Sequence, residues 1–108
     1  MSEAKIAQFL ALKAAHPDSE MPRWTLATTY ADVGRHGEAI AEFEALIAMK
    51  PDYCVAYLHL GSCLLEEDRP EDAISVLERA RQLAIDQSHT APRQEAEMLL
   101  EQAREELE

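Results

Sequence analysis

The sequence is poor in residues that break helices, in aromatic residues and in long apolar runs. Its 108 residues include three glycines and five prolines, and aromatic residues make up 6% of the chain. Alanine, the strongest helix former, occurs 18 times. This composition predicts one all-α domain with short connections. The apolar stretches are too short to span a bilayer, and polar residues interrupt the N-terminal segment where a signal peptide needs an apolar core.

Basic residues are also scarce. Ten lysines and arginines stand against 21 acidic residues, so the formal net charge is −11 at pH 7. Such a charge repels phosphate backbones and anionic lipid headgroups, and we therefore expect neither nucleic acid nor a membrane as partner. The charge would speed encounter with a basic partner, although a solvated acidic surface explains it equally well.

The two cysteines are not spaced to form a disulfide with each other. Cys54 and Cys63 lie nine residues apart, which on a helix directs their side chains to opposite faces. Free thiols are typical of proteins in a reducing compartment. Together with the lack of a signal peptide, they predict a cytoplasmic protein.

No constellation of residues predicts catalysis. The histidines at 16, 36, 59 and 89 show no pairing at metal-ligand spacing. Ser62 and His59 are one helical turn apart, but no acid is placed to orient the histidine. Glu66, Glu67 and Asp68 are consecutive, and consecutive residues on a helix do not converge on one point. We expect no enzyme activity, no metal and no cofactor.

The strongest positive signal is a sequence motif that occurs twice, 34 residues apart. Residues 3–19 and 37–53 are identical at eight of 17 positions, among them Ile6/Ile40, Phe9/Phe43 and Leu12/Leu46. A weaker copy follows another 34 residues on, at Ile74, Leu77 and Ala80. A period in this range is typical of stacked helical units.

Turn residues divide the chain into six predicted helices with short, antiparallel connections. Pro70 is expected to open the fifth helix, and Asp52 to cap the fourth. The predicted helices cover residues 3–15, 21–33, 38–49, 53–67, 70–84 and about 91–107.

These spacings resemble the tetratricopeptide repeat. A unit beginning at Glu20 supplies its pattern with Leu26, Ala27, Tyr30, Gly34, Ala39, Phe43, Leu46 and Pro51. A unit beginning at Cys54 supplies it with Tyr57, Leu60, Gly61, Leu64, Asp68, Ala73, Leu77 and Ala80. The departures are Arg23 at a large-residue position, Asp68 in place of glycine and Ile85 in place of the closing proline.

The resemblance implies a stack of helix pairs with defined boundaries. Residues 3–19 match the second half of a unit, 20–53 and 54–87 are two full units, and 90–108 form a capping helix. With a strict 34-residue period, Gln94 and Glu95 occupy the leucine and glycine positions of that last helix. A polar outer face of this kind is typical of a cap.

The resemblance also implies a binding groove lined by the first helix of each unit. Its mostly apolar lining would be Met21, Trp24, Thr25, Thr28, Ala31, Val55, Leu58, His59, Ser62 and Leu65, with Asp32 and Glu66 at one edge. Such repeats bind many kinds of partner, and we expect a basic or neutral protein or peptide. Some family members capture C-terminal carboxylates through basic groove residues. The matching positions here hold Trp24, Thr28 and His59, so that activity is not expected.

Two questions stay open at this stage. Trp24 is either exposed in the groove as an interface anchor or packed inside in place of the large residue that Arg23 displaces. The last helix carries an apolar stripe, Ala96, Leu99, Leu100, Ala103 and Leu107. The stripe either packs on the fifth helix or stays partly exposed and mediates self-association, for example as a homodimer, in a scaffold.

Overall fold

A computed structural model describes residues 2–108. The chain is all-α: six helices and no strand occur over the described residues. The helices are α1 (Ser2–Ala15), α2 (Glu20–Asp32), α3 (His36–Met49), α4 (Cys54–Glu66), α5 (Pro70–Asp86) and α6 (Thr90–Glu106). The predicted fold class and helix number are confirmed. No helix within residues 2–108 is long and apolar enough to cross a membrane.

Three of the helix ends use the same backbone device. The second residue after the helix adopts a left-handed conformation at Gly34 (φ 82°), Asp68 (φ 57°) and Ser88 (φ 59°). The next amide then donates to a carbonyl five residues back, as Arg35 N does to Tyr30 O at 2.8 Å. This hydrogen bond satisfies a carbonyl at the helix end. Asp68 therefore replaces glycine without breaking the turn, as the sequence predicts.

The chain divides into two compact units, one that ends at Pro51 and one that spans Asp52–Glu108. In the first unit, α2 packs against α3 and α1 packs against α2. The residues of the repeat pattern form the core, with Leu26, Ala27, Ala39, Phe43 and Leu46 all fully buried. Repeated apolar residues on second helices therefore serve packing within the unit.

A carboxylate is buried in this first unit with two cations around it. Glu42 of α3 is 7% exposed. Lys13 Nζ of α1 donates to its Oε2 at 2.7 Å, and Arg23 Nη1 of α2 donates to its Oε1 at 3.3 Å. Arg23 thus fills its unusual position by pairing with a neighbouring helix, and the three helices share one ion-pair network.

In the second unit, α4 and α5 meet at a glycine. A β-carbon added to Gly61 would collide with the side chain of Leu77, which is fully buried. The absence of a side chain at Gly61 lets the two helices approach closely. The nearby thiol of Cys54 donates to Ala80 O at 3.4 Å.

The last helix packs in a register that the strict period does not predict. Helix α6 begins 36 residues after α4, whereas α4 begins 34 residues after α2. It contacts α5 and α4, and its buried residues are Ala96, Leu100 and Ala103. The strict period puts the leucine and glycine positions of the repeat at Gln94 and Glu95, whereas in α6 these positions fall two residues later, because α5 continues to Asp86. Both residues are exposed.

Candidate functional site

The predicted groove residues of the first unit lie along one side of α2, which we call the α2 face: Met21, Trp24, Thr25, Thr28 and Ala31. Met21 is 72% exposed, and the other four are half-buried. Spacings of three and four residues place them on neighbouring turns. Asp32 at the end of the helix is exposed and sets an acidic edge. The α2 face therefore offers accessible apolar and hydroxyl-bearing side chains.

Trp24 is both packed and accessible. Its ring meets the fully buried ring of Phe43 edge to face, with centroids 5.7 Å apart and planes inclined at 73°. Such pairs prefer this geometry and hold the indole in place. The side chain stays half-buried rather than buried. Trp24 is thus packed on Phe43 and partly accessible, between the two alternatives that the sequence left open.

Thr28 is oriented by its own helix. Its hydroxyl donates to Trp24 O at 3.0 Å and lies 3.2 Å from Thr25 O. Because the hydroxyl hydrogen is used within the helix, the oxygen lone pairs stay available to accept a hydrogen bond. On this face Thr28 would act as an acceptor.

The predicted groove residues of the second unit lie on α4 and form the α4 face: Val55, Leu58, His59, Ser62 and Leu65. His59 is exposed, and Val55 and Ser62 are half-buried. Leu58 and Leu65 are only 4% and 8% exposed. A partner could reach the edges of these two leucines but could not bury much of them. Glu66 is exposed at the end of the helix, as Asp32 is on α2.

Most of the apolar stripe on α6 is already covered. Ala96 and Ala103 are fully buried and Leu100 is 3% exposed, whereas Leu99 is half-buried and Leu107 is 45% exposed. Only the last two can meet a second copy. Packing within the unit therefore accounts for three of the five residues in the stripe.

A depression between α5 and α6 was not predicted from the sequence. It has a volume of about 510 Å³ and is lined by Glu78, Arg81, Gln82, Glu97, Leu100 and Arg104. Arg81 Nε donates to Glu97 Oε2 at 2.8 Å, and Arg93 Nε lies 3.4 Å from the same oxygen. The hydrogen bond from Arg81, supported by Arg93, lowers the pKa of Glu97 below its usual value. The i, i+4 spacing of Arg93 and Glu97 is the one signal that the sequence offered.

The described residues contain no cluster of three or more metal-ligating side chains. Both thiols are free and buried, as predicted. Burial, with a smaller contribution from Glu66 and Glu67, raises the pKa of Cys63 to about 11. Burial also raises the pKa of Cys54. Neither thiol is therefore activated as a nucleophile, since that role needs the thiolate.

The comparison with protein families is decisive for the fold. The tetratricopeptide-repeat family model matches residues 30–89, which is more than half of the 108 residues. The chain belongs to the tetratricopeptide-repeat family. The match spans all of α3, α4 and α5, and it confirms the family resemblance of the sequence spacings.

Three known proteins are similar to this tetratricopeptide-repeat protein in sequence or in structure. Superkiller complex protein 3 of Mus musculus is 35% identical over 60 residues, which is 56% of this chain but only 4% of that protein. The TPR2B domain in the pHsp70 complex of yeast Sti1 has a TM-score of 0.84 at 18% identity, covering 93% of this chain and 80% of that one. The first TPR of Spaghetti (RPAP3), bound to an HSP90 peptide, has a TM-score of 0.86 at 19% identity over 98% and 79%. At these identities the solved structures show a common fold.

Proposed function

We propose that this protein is a non-catalytic interaction module that binds a peptide or protein segment on the α2 face. The observation that carries the proposal is the pair formed by Met21 and Trp24. A methionine that is 72% exposed lies three residues from an indole held in place by Phe43. An exposed, adaptable side chain beside a rigid aromatic is the usual composition of an interface anchor.

The α4 face of the second unit offers fewer accessible residues than the α2 face. His59, Val55 and Ser62 can touch a partner, whereas Leu58 and Leu65 supply a floor with little exposed area. The two repeats differ most at these accessible positions, with Met21 against Val55 and Thr25 against His59. Differences between copies at exposed positions support a role in choosing the partner.

Charge supports a basic or neutral partner. The net charge is −11, and the ends of both faces carry an exposed acid, Asp32 on α2 and Glu66 on α4. Electrostatic attraction between these acidic groups and a basic partner raises the association rate, and added salt weakens it. Peptide complexes of the Sti1 and RPAP3 domains support a peptide as ligand class. The faces described here lack the basic residues that a free carboxylate would need.

The non-catalytic part of the proposal rests on what the side chains can do. The buried thiols have raised pKa values. The carboxylates of Glu97 and Glu42 are held in ion pairs with arginine or lysine. Free cysteines also support a reducing location such as the cytoplasm. We therefore propose a cytoplasmic binding protein that needs no cofactor.

Trp24 provides the test, because it is the single tryptophan of the chain. Pools of basic, neutral and acidic apolar peptides are titrated while the intrinsic fluorescence is recorded. The basic or neutral pools should change the emission. Met21→Ser should weaken binding by roughly 5- to 30-fold, the usual range for a central contact. Met98→Ser is the matched control, because Met98 is 63% exposed on α6. Equal effects of the two substitutions would refute the proposal.

Self-association through the C-terminal stripe is the second candidate. It is supported by Leu107, which is 45% exposed, together with half-buried Leu99. Leu107→Glu should then reduce the mass of any assembly seen by light scattering. If assembly persists unchanged in that variant, this stripe is not the contact.

A further inference from the structure

In the first unit, an ion-pair network joins α3 to the two helices that precede it, α1 and α2. Lys13 of α1 and Arg23 of α2 both bind the carboxylate of Glu42, which belongs to α3. The residue after it, Phe43, and Leu46 one turn later are fully buried. Helices α1 and α2 therefore present two cations to an incoming helix that carries an acid followed by large apolar residues.

The same two cations recur on α5 and α6. Arg81 follows Lys13 by two 34-residue periods, and Arg93 follows Pro92 as Arg23 follows Pro22. Both arginines bind one carboxylate, as in the first unit, but this carboxylate is Glu97 of α6 itself. Its side chain is 40% exposed, against 10% for Glu42. The two arginines are therefore already paired with a carboxylate of their own unit, which α6 supplies.

The depression of about 510 Å³ is lined by Arg81 and Glu97 and lies between α5 and α6, the helices that correspond to α1 and α2. We call Arg81, Arg93 and the depression the carboxylate seat. In the first unit the corresponding seat is filled by α3. The seat on α5 and α6 is open, and Arg104 and Glu78 across it form a long ion pair of 3.5 Å between exposed side chains. Ion pairs between exposed side chains contribute little to stability and separate readily.

We propose that the carboxylate seat binds helix α1 of a second copy of this chain. Helix α1 carries the same sequence motif as α3, with Ile6, Phe9 and Leu12 at the positions of Ile40, Phe43 and Leu46. Leu46 and Phe43 are fully buried, whereas Leu12 is 36% exposed and Phe9 is half-buried. Phe9 and Leu12 of this apolar face are therefore accessible on α1, whereas Ile6 is 3% exposed and packs within its own unit.

The polar groups of the two surfaces are complementary. Gln8 of α1 corresponds to Glu42, and its amide oxygen can accept hydrogen bonds from the two arginines of the seat. Glu97 would leave the two arginines as the helix arrives. Displacement of an internal ion pair makes the association weak.

The surfaces that meet are different, so the contact is heterologous. Each copy that binds through its α1 still offers its own seat, and growth does not close on itself unless the rotation permits a ring. The weight-average mass should therefore rise steadily with concentration rather than level off at a dimer. The proposed contact uses residues of α1, α5 and α6, and it does not depend on peptide binding.

Two leucines of α1 provide a matched test by sedimentation equilibrium, from about 10 μM to about 1 mM, the range for weak contacts. Leu12 is 36% exposed and corresponds to buried Leu46, whereas Leu10 is 40% exposed and corresponds to exposed Glu44. Both substitutions, Leu12→Glu and Leu10→Glu, add the same charge. Leu12→Glu should weaken assembly at least tenfold, and Leu10→Glu should assemble as the wild type does. Circular dichroism checks that both fold.

A gain-of-function variant supports the test if Leu12→Glu fails to fold. Gln8→Glu combined with Glu97→Ala moves the carboxylate from the seat to the incoming helix, which reproduces the arrangement of Glu42. This variant should assemble about tenfold more strongly than the wild type. A wild type that stays monomeric to about 1 mM overturns the proposal. Equal loss in both leucine variants, or no gain in the double variant, also overturns it.

Discussion

Replacing Gly61 by alanine tests the closest helix contact of the second unit. The added β-carbon would collide with Cγ and Cδ2 of Leu77 and lie 3.2 Å from Cδ1. Leu77 is fully buried. Overpacking of this kind costs about 1–3 kcal/mol, and replacing a helical glycine by alanine recovers about 1 kcal/mol. We expect a net loss of about 1 kcal/mol, or a fall of about 4–8 °C in Tm.

Gly37→Ala is the control, measured by urea unfolding followed with circular dichroism. None of the described atoms lies within 4 Å of a β-carbon added at Gly37, so this variant should be more stable by about 0.5–1 kcal/mol. Leu77→Ala alone should cost about 2–5 kcal/mol, and less when Gly61→Ala is also present, because the collision is relieved. If Gly61→Ala stabilises the protein as Gly37→Ala does, the close contact is not as described.

The remaining predictions concern a turn, a buried acid and a thiol. Asp68 has φ 57°, and Asp68→Gly should raise the unfolding free energy by about 1 kcal/mol; a loss would contradict this. Glu42→Gln leaves Lys13 and Arg23 without their carboxylate and should cost about 1–3 kcal/mol in the same assay, whereas unchanged stability would show that the network is dispensable. The pKa of Cys63 is about 11 in the fold. An unfolded thiol ionises near about 8.5, so the unfolding free energy should fall as pH rises between these values, and Cys63→Ala should reduce that slope.

The repeat explains why most of the fold can be predicted. Spacing alone predicts all six helices and places Leu26, Ala27 and Phe43 in the core. The register of α6 could not be predicted in the same way, because α5 is longer than α3 and continues to Asp86. The prediction that Asp52 caps α4 was wrong. Helix α4 begins at Cys54 with Tyr53 in the capping position, and no side-chain hydrogen bond caps it.

The candidate site is less fully contained in the sequence. Helical spacing predicts which residues share the α2 face, and their partial exposure fits that prediction. It does not predict that Leu58 and Leu65 are nearly buried, because their exposure depends on how the other helices approach α4. The environment of Glu42 is similar, since its partners lie 29 and 19 residues away on other helices. Contacts between helices decide both cases.

The most direct test of the proposed binding function is a nuclear magnetic resonance titration with a peptide from the basic or neutral pools. Trp24 supplies one indole N–H resonance, which reports on the α2 face without assignment ambiguity. We expect this resonance and the amides around Met21 to shift in proportion to bound peptide, while amides of 98–106 on α6 stay in place. Shifts confined to α6, with the Trp24 indole unchanged at saturation, would contradict the account.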